Sequence, residues 1–270
     1  MRRIAHLSDL HFGRAEPAMV DSLRRDLERE APDLIAISGD LTQRARRHEF
    51  AAARDFVRSL TPATLCVPGN HDMPAFDPIA RFLQPRARYR EYIAPHCRAY
   101  YVDDEIAVAA VDTTSRARLS LDWASGRIKR DDIAAVLSWI KAETRDHLTI
   151  VVAHHILKTF GGGESLGHRL RRGALSALSE AGVDVMLGGH HHRSDAQIFS
   201  PADGRPNILV LHASTTTSNR VRGEANGYNL LELDGDQALC RMRAAQDGRF
   251  SEIKAVAFRR NGSPGVWSAA

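Results

Sequence analysis

The sequence predicts an α/β fold, and three observations carry that reading. Strand-length apolar runs alternate with helix-spaced apolar residues over residues 3–72, the order β-α-β-α-β that favours a parallel sheet with right-handed crossovers. Each of the three early strands stops at a carboxylate or an imidazole. The last part of the chain reads as a series of short strands, the pattern expected of a second sheet.

The elements follow in order. Arg3 to Ser8 alternates and runs into Ser8-Asp9-Leu10-His11, a strand leading to a loop. Val20, Leu23 and Leu27 are helix-spaced, which predicts an amphipathic helix over Pro17 to Glu30, stopped by Pro32. Leu34 to Ser38 is a buried strand ending at Gly39-Asp40. Ala53, Phe56, Val57 and Leu60 mark a second helix. Ala63 to Val67 is the third strand; Pro68-Gly69 breaks it and delivers Asn70-His71-Asp72 directly after the turn. Residues 74–97 read as a short helix from Pro78 to Leu83 followed by irregular chain. Tyr100–Val102 and Ile106–Val111 form an expected antiparallel pair turning at Asp103-Asp104. Ile133, Val136, Leu137 and Ile140 predict a helix, and Leu148 to Ala153 a strand ending at His154-His155.

Lys158 to Arg172, with Gly161-Gly162-Gly163, reads as a mobile loop leading to a helix through Leu175 and Leu178. Val183 to Leu187 is a strand ending at Gly188-Gly189-His190-His191-His192. Short strands near Ile198, Ile208–Leu211, Tyr228–Leu233, Ala238–Met242 and Ile253–Phe258 are assigned to the second sheet. Residues 261–270 read as a flexible tail, and no repeat, low-complexity segment or linker interrupts the chain.

Composition narrows the function classes. The 270 residues are 43% hydrophobic and 26% charged, enough for a full core, and no apolar run approaches a membrane span. His6, Ser8, Asp9 and His11 interrupt any apolar stretch after Met1-Arg2-Arg3, so no targeting segment is expected. Cys66, Cys97 and Cys240 form no CxxC pair; Cys66 reads as a core residue, and the odd, unpatterned count suits a reducing cytoplasm. The net charge of +4 favours anionic ligands. Histidine is more specific: seven of the 13 lie at residues 11, 71, 154–155 and 190–192.

Strand ends therefore supply Asp9 and His11, Asp40, Asn70 with His71 and Asp72, His154, and His190 with His192. If the local chain stays extended, residues two apart face the same way, so Asp9 and His11 can face one ion together, as can His190 and His192. Four imidazoles, two carboxylates and one amide oxygen exceed the needs of one divalent ion. They suit Zn, Mn, Fe or Co better than Mg or Ca. Two ions sharing one carboxylate is the economical arrangement, with Asp40 as the natural bridge.

Asp9-Leu10-His11, Gly39-Asp40, Gly69-Asn70-His71-Asp72, His154-His155 and Gly189-His190-His191-His192 together resemble, in order, the motif series of the calcineurin-like metallophosphoesterases. The resemblance implies a four-layer αββα sandwich, two mixed sheets flanked by helices, as a single domain over residues 1–260. It implies two divalent or mixed-valence transition-metal ions, Mn, Fe or Zn. Asp9, His11, Asp40 and His192 would hold one, and Asp40, Asn70, His154 and His190 the other. His71 corresponds to the catalytic imidazole and Asp72 to the carboxylate that orients it. The family often has His-His-Pro where this chain has His154-His155-Ile156; His154 matches the first position. His155 and His191 read as supporting or solvent-facing groups.

The chemistry so implied is phosphoester hydrolysis. Two cations about 3.5–4 Å apart hold a bridging hydroxide that attacks phosphorus in line, and His71 gives the departing alkoxide a proton. Protein phosphatases of the family carry an arginine before Gly-Asn-His and Asp-Arg-Gly after Gly-Asp. Here Pro68 precedes Gly69, and Leu41-Thr42-Gln43 follows Asp40. Leu7 to Gly13, Ser214 to Arg222 and Asn226 to Asn229 instead resemble the bacterial phosphodiesterase branch, which includes cyclic-nucleotide and glycerophosphodiester enzymes. The expected partner is a small phosphodiester, with Arg14, Arg116 and the loop at 161–172 as candidate contacts to the leaving group. A recombination-repair type nuclease and a phosphomonoesterase are the alternatives, with a non-catalytic scaffold after them. Nucleic acid is not the favoured partner, no membrane is expected, a homo-oligomer is allowed, and the expected location is cytoplasmic.

Overall fold

The computed structural model describes residues 1–74, 77–114, 130–143, 147–156, 174–201, 206–219, 223–262 and 266–270. The loop expected over Lys158 to Arg172 and the candidate contact Arg116 lie outside these residues.

The early elements form as the apolar pattern requires. Strands β1 (Arg2–Leu7), β2 (Leu34–Ile37) and β3 (Ala63–Cys66) alternate with helices α1 (Pro17–Glu30) and α2 (Arg47–Arg58). β1 pairs in parallel with β2, and β2 with β3. Alternate residues of each strand face opposite sides, and both sides are buried. Ile4, Leu34, Ala36 and Leu65 face inward. Ala5, Leu7, Ile35 and Ile37 pack outward against Leu23 and Leu27 of α1 and Phe50, Ala53 and Phe56 of α2.

The middle of the chain contributes α3 (Pro78–Leu83), α4 (Ala87–Tyr92), β4 (Tyr100–Val102), β5 (Ile106–Val111), α5 (Arg130–Glu143), β6 (Leu148–Ala153) and β7 (Val185–Gly188). Residues 174–180 are helical. The stretch after α3 is not irregular as expected: α4 seats Tyr89 in the core, and the Tyr89 hydroxyl donates to the Cys66 carbonyl at 2.8 Å. One buried aromatic among arginines is too short a pattern to betray a helix.

The later strands are β8 (Asp195–Phe199), β9 (Ile208–His212), β10 (Gly227–Asp234), β11 (Gln237–Gln246), β12 (Arg249–Asn261) and β13 (Val266–Ala269). They do not make a sheet of their own, contrary to the expectation from sequence. β8 and β9 complete one six-stranded sheet, ordered β4-β5-β6-β7-β9-β8. β10 to β13 extend the early strands into a seven-stranded sheet, ordered β13-β12-β11-β10-β1-β2-β3. The physical reason is the open side of β1. Its crossovers cover only the β2 side, and β10 takes the other, antiparallel, from Arg2↔Leu233 to His6↔Asn229. Within the stretch read as a tail, Val266–Ala269 forms β13, which pairs with β12, and Trp267 is buried with its indole N–H on the Asp184 carbonyl at 2.9 Å.

The two mixed sheets meet at a core of Ile4, Leu34, Val108, Ile150, Val152, Val185, Leu209 and Leu231. Ala109, Val151, Met186 and Val210 face the opposite way, onto Val136 and Ile140 of α5 and Leu175 and Leu178. The result is the expected four-layer αββα sandwich. β1, β2 and β3 in one sheet and β6 and β7 in the other carry their following loops to one common site.

Candidate metal centre

Each expected site residue lies just past the carboxyl end of a strand. The backbone there is not extended. Asp9, His11, Asp40, His190 and His192 all have positive φ, between 49° and 74°. Such left-handed conformations cost non-glycine residues about 1–3 kcal/mol each and persist only where the surroundings hold them. Here the loops hold each other: Asp9 N–H donates to the Gly39 carbonyl at 3.0 Å, His11 N–H to Asp40 at 2.9 Å and Gly189 N–H to His154 at 3.1 Å.

The turned backbone changes what the side chains face. Asp9 and His11 do converge, with His11 Nε2 3.7 Å from Asp9 Oδ1. His190 and His192 do not face one point, contrary to the extended-chain expectation. The His192 ring stacks on His11, with Nε2 3.5 Å from Asp9 Oδ1. His190 turns to Asn70, its Nδ1 3.1 Å from the amide oxygen.

All seven expected donors gather in two adjoining sets. Asp9, His11 and His192 form one, buried throughout. The other centres on the Asn70 amide oxygen, 3.3 Å from His154 Nε2 and 3.1 Å from His190 Nδ1. Asp40 reaches both, its Oδ2 being 3.9 Å from His11 Nε2 and 3.4 Å from His154 Nε2.

Glycine is required where these loops cross. A Cβ on Gly69 would lie 2.1 Å from Asp40 Oδ1, and one on Gly189 would lie 1.8 Å from Ser8 Oγ.

Neighbours that no motif marks fix the rings. His11 Nδ1 is 3.3 Å from the Thr42 carbonyl, and His154 Nδ1 is 2.7 Å from the Ser38 carbonyl. His192 Nδ1 bonds Thr215 Oγ1. Asp9 Oδ2 accepts from Ser8 Oγ at 2.6 Å and from His190 N–H at 3.0 Å. Ser8 and Thr42 could have been suspected from their place beside the motifs. Thr215 lies in the Ser214–Arg222 stretch, whose resemblance gave no role to any single residue.

His71 donates from its backbone to Asp40 Oδ1 at 2.8 Å, and its Nδ1 lies 2.9 Å from the Gln43 carbonyl. Its ring stands edge-on to His11 at 4.9 Å. The expectation that Asp72 orients this ring is not met. The Asp72 carboxylate accepts from Gly69 N–H at 2.9 Å, Leu41 N–H at 3.1 Å, and Thr42 N–H and hydroxyl at 2.8 Å each. The short 3-10 turn at Asn70–Asp72 points that carboxylate back beneath the Asp40 loop, so a carbonyl, Gln43, takes the orienting role. His155 is buried, its Nδ1 3.0 Å from Thr113 Oγ1, and it groups with His154 and His190. His191 is half-buried beside His190.

The electrostatics suit cations. Burial pushes His11 down to about 4 and His190 to about 3, neutral imidazoles ready to donate a lone pair. Burial also opposes charge on His154, but Asp40 and Asp9 outweigh it and lift this imidazole to about 9. Asp40 is held well below the usual carboxylate range despite burial, chiefly by His154. Asp9 Oδ1 and His11 Nε2 are buried without a hydrogen-bond partner. Buried polar atoms in folded proteins are as a rule paired, so two such atoms converging with His192 fit a bound cation.

The calcineurin-like phosphoesterase family model matches residues 2–194. A glycerophosphodiester phosphodiesterase, GpdQ, from Enterobacter lignolyticus (strain SCF1) is 27% identical over 216 residues, 72% of each chain. Among solved structures, the purple acid phosphatase PPD1 of yellow lupin (Lupinus luteus) seeds is similar with a TM-score of 0.61 at 13% identity, covering 97% of this chain and 54% of that one. The protein TT1561 of Thermus thermophilus is similar with a TM-score of 0.53 at 16% identity, covering 85% of this chain and 93% of that one. These structures share the fold; the family model, extending over well over half of the sequence and all five motifs, shows that the chain belongs to the calcineurin-like phosphoesterases.

Proposed function

We propose that this chain is a dinuclear-metal-dependent phosphodiesterase acting on a small phosphodiester. The observation that carries the reading is the pair of donor sets, one buried and one partly buried, joined at Asp40. Asp9, His11, Asp40 and His192 would hold one ion, and Asp40, Asn70, His154 and His190 the other. Mn, Fe or Zn suits this mixture of imidazole and carboxylate. When bound, such a pair supplies Lewis acidity toward the phosphate oxygens and a hydrolytic nucleophile from water near neutral pH.

The chain's own residues do the positioning and the proton transfer. The carbonyls of Ser38 and Thr42 and the Thr215 hydroxyl stop the ligand rings from rotating. The Gln43 carbonyl accepts the Nδ1 proton of His71, which leaves Nε2 to exchange a proton with the substrate. His71 Nε2 is the general acid for an alkoxide leaving group. Asp72 fixes the spacing of the Asp40 and Asn70 loops and acts on the reaction only through them.

Diester preference rests on the GpdQ-like relative and on Pro68 and Leu41-Thr42-Gln43, which replace the residues typical of protein phosphatases. On metal-loaded protein, kcat/KM for bis(p-nitrophenyl) phosphate should exceed that for p-nitrophenyl phosphate; the reverse ranking would overturn the reading. Extending the panel to cyclic nucleotides, glycerophosphodiesters and single-stranded DNA separates a small-diester enzyme from a nuclease.

A further inference from the structure

The cysteines show no pattern in the sequence, yet the fold brings two of them into contact. The sulfurs of Cys66 and Cys97 lie 2.8 Å apart, and both are thiols. Non-bonded carbon atoms pack at about 3.5–4.0 Å, and sulfur is larger, so this is an unusually close approach. The backbone sets it. Cys97 follows the 3-10 turn Ala94–His96, and the next residue, Arg98, forms a parallel bridge with Leu65 at the edge of β3. Arg98 N–H donates to the Thr64 carbonyl at 2.9 Å, and the Tyr89 hydroxyl secures the Cys66 carbonyl from the other side.

A cavity of about 240 Å³ lies beside the pair, lined in part by Pro68, Tyr89, Arg90 and Arg98 together with both cysteines. A water molecule takes about 30 Å³, so a small solute fits there. Neither thiol has a part in the metal-centre chemistry. Cys66 is buried and Cys97 half-buried, which orders their access to anything entering from solvent.

We propose that Cys66 and Cys97 form a dithiol modification site, oxidised by a small hydroperoxide to an intramolecular disulfide. The accessible thiolate, Cys97, attacks the terminal oxygen of the hydroperoxide. The O–O bond breaks, the other oxygen leaves with a proton as alcohol or water, and Cys97 becomes a sulfenic acid. The Cys66 sulfur then attacks the Cys97 sulfur. The S–O bond breaks, and the hydroxide leaves as water with the Cys66 proton. Two thiols lose two electrons and two protons in all, and one hydroperoxide is reduced to an alcohol and water, or hydrogen peroxide to water alone. Burial raises the Cys66 thiol well above its ordinary pKa, in keeping with its acting second, on a sulfur already activated. The product fastens residues 94–98 to β3 just ahead of the loop that carries Asn70.

Cys240 on β11 is an internal control, buried and pushed up to about 12 by that burial. The test uses full-length, metal-loaded protein treated with hydrogen peroxide, then denatured, alkylated with N-ethylmaleimide and weighed. Before alkylation the oxidised chain should be lighter by about 2 Da, the mass of two hydrogens. It should then accept one alkyl group in place of the three that the reduced chain accepts. Digestion should give a cross-linked peptide pair joining Cys66 to Cys97, and dithiothreitol should reverse every change. The thermal midpoint should rise on oxidation, since the cross-link restricts the unfolded chain. Cys97→Ser should abolish both the cross-link and the shift. Cys66→Ser should leave Cys97 as a sulfenic acid that dimedone captures. Three alkyl groups retained at a peroxide dose that fully oxidises glutathione in the same tube would overturn the proposal. So would loss of Cys240 as fast as Cys97, or a disulfide found only between two chains. The wild-type alkylation result stands even where a variant fails to fold, and no readout depends on phosphoester hydrolysis.

Discussion

Asp40 shows how one residue can be legible in type and illegible in geometry. Its place after an apolar strand and a glycine marks it as a donor. Its positive φ and the absence of room for a Cβ on Gly69 beside it emerge only in three dimensions. The same holds for the other candidate donors at positive φ: the letters name the candidate donor atoms, but not the turned backbone that sends His190 and His192 to different sets. Asp72 is illegible for a related reason, since adjacency in sequence suggests contact with His71 and the 3-10 turn points it elsewhere. Two predictions belong here. Asp40→Ala should lose both metal ions, measured by elemental analysis of protein purified without chelator; a full complement retained would refute the shared-ligand assignment. His71→Ala should keep both ions and lose about 10²–10⁴-fold in rate on an alkyl diester, roughly 3–5 kcal/mol of transition-state stabilisation. The loss on an aryl diester should be much smaller, because p-nitrophenolate needs little proton help. Equal losses on both leaving groups would make His71 a positioning residue instead.

At the scale of elements, the helices and parallel strands were readable because each carries its own period. The partners of the late strands were not, because alternation looks the same whichever sheet a strand joins. What ties β10 and β11 to the first sheet is partly polar. Arg243 on β11 and Asp26 on α1 are both buried and paired through two bonds of 2.8 and 2.9 Å, and the Tyr228 hydroxyl donates to the same carboxylate at 2.6 Å. Arg243 also reaches Glu30 at 3.0 Å. Burial, then the Asp26 hydrogen bond, raises Tyr228 to a point where it stays a protonated donor throughout the stable range. Removing one partner of a buried ion pair strands the other charge and costs about 3–5 kcal/mol. Asp26→Ala should therefore lower the stability measured by urea unfolding by that amount. A loss under about 1 kcal/mol, the range of an exposed ion pair, would show that Glu30 or water compensates the charge of Arg243.

Across the whole molecule, the candidate centre joins the two sheets. Asp9, His11, Asp40 and Asn70 follow strands of the seven-stranded sheet, whereas His154, His190 and His192 follow strands of the six-stranded sheet. Ions held there would cross-link the halves of the sandwich, so their binding energy becomes folding energy. Chelation should lower the thermal midpoint. Each site filled at a hundred times its Kd contributes about 2.7 kcal/mol. The size of the effect should depend on pH through His154, whose pKa in the metal-free fold is raised from 6.5 to about 9. Protonated His154, paired with Asp40, stabilises the metal-free fold fully below pH 6.5 and loses that contribution as pH rises through 9. A ligating His154 must be neutral, so binding at pH 7 should release about one proton, and affinity should weaken about tenfold per pH unit on falling through that window. The gap between metal-loaded and metal-free midpoints should accordingly widen from pH 6.5 to 9. Calorimetric titrations in buffers of different ionisation enthalpy would count the proton directly. A proton count of zero at pH 7, with both ions bound, would remove His154 from the ligand set and turn attention to His155 beside it.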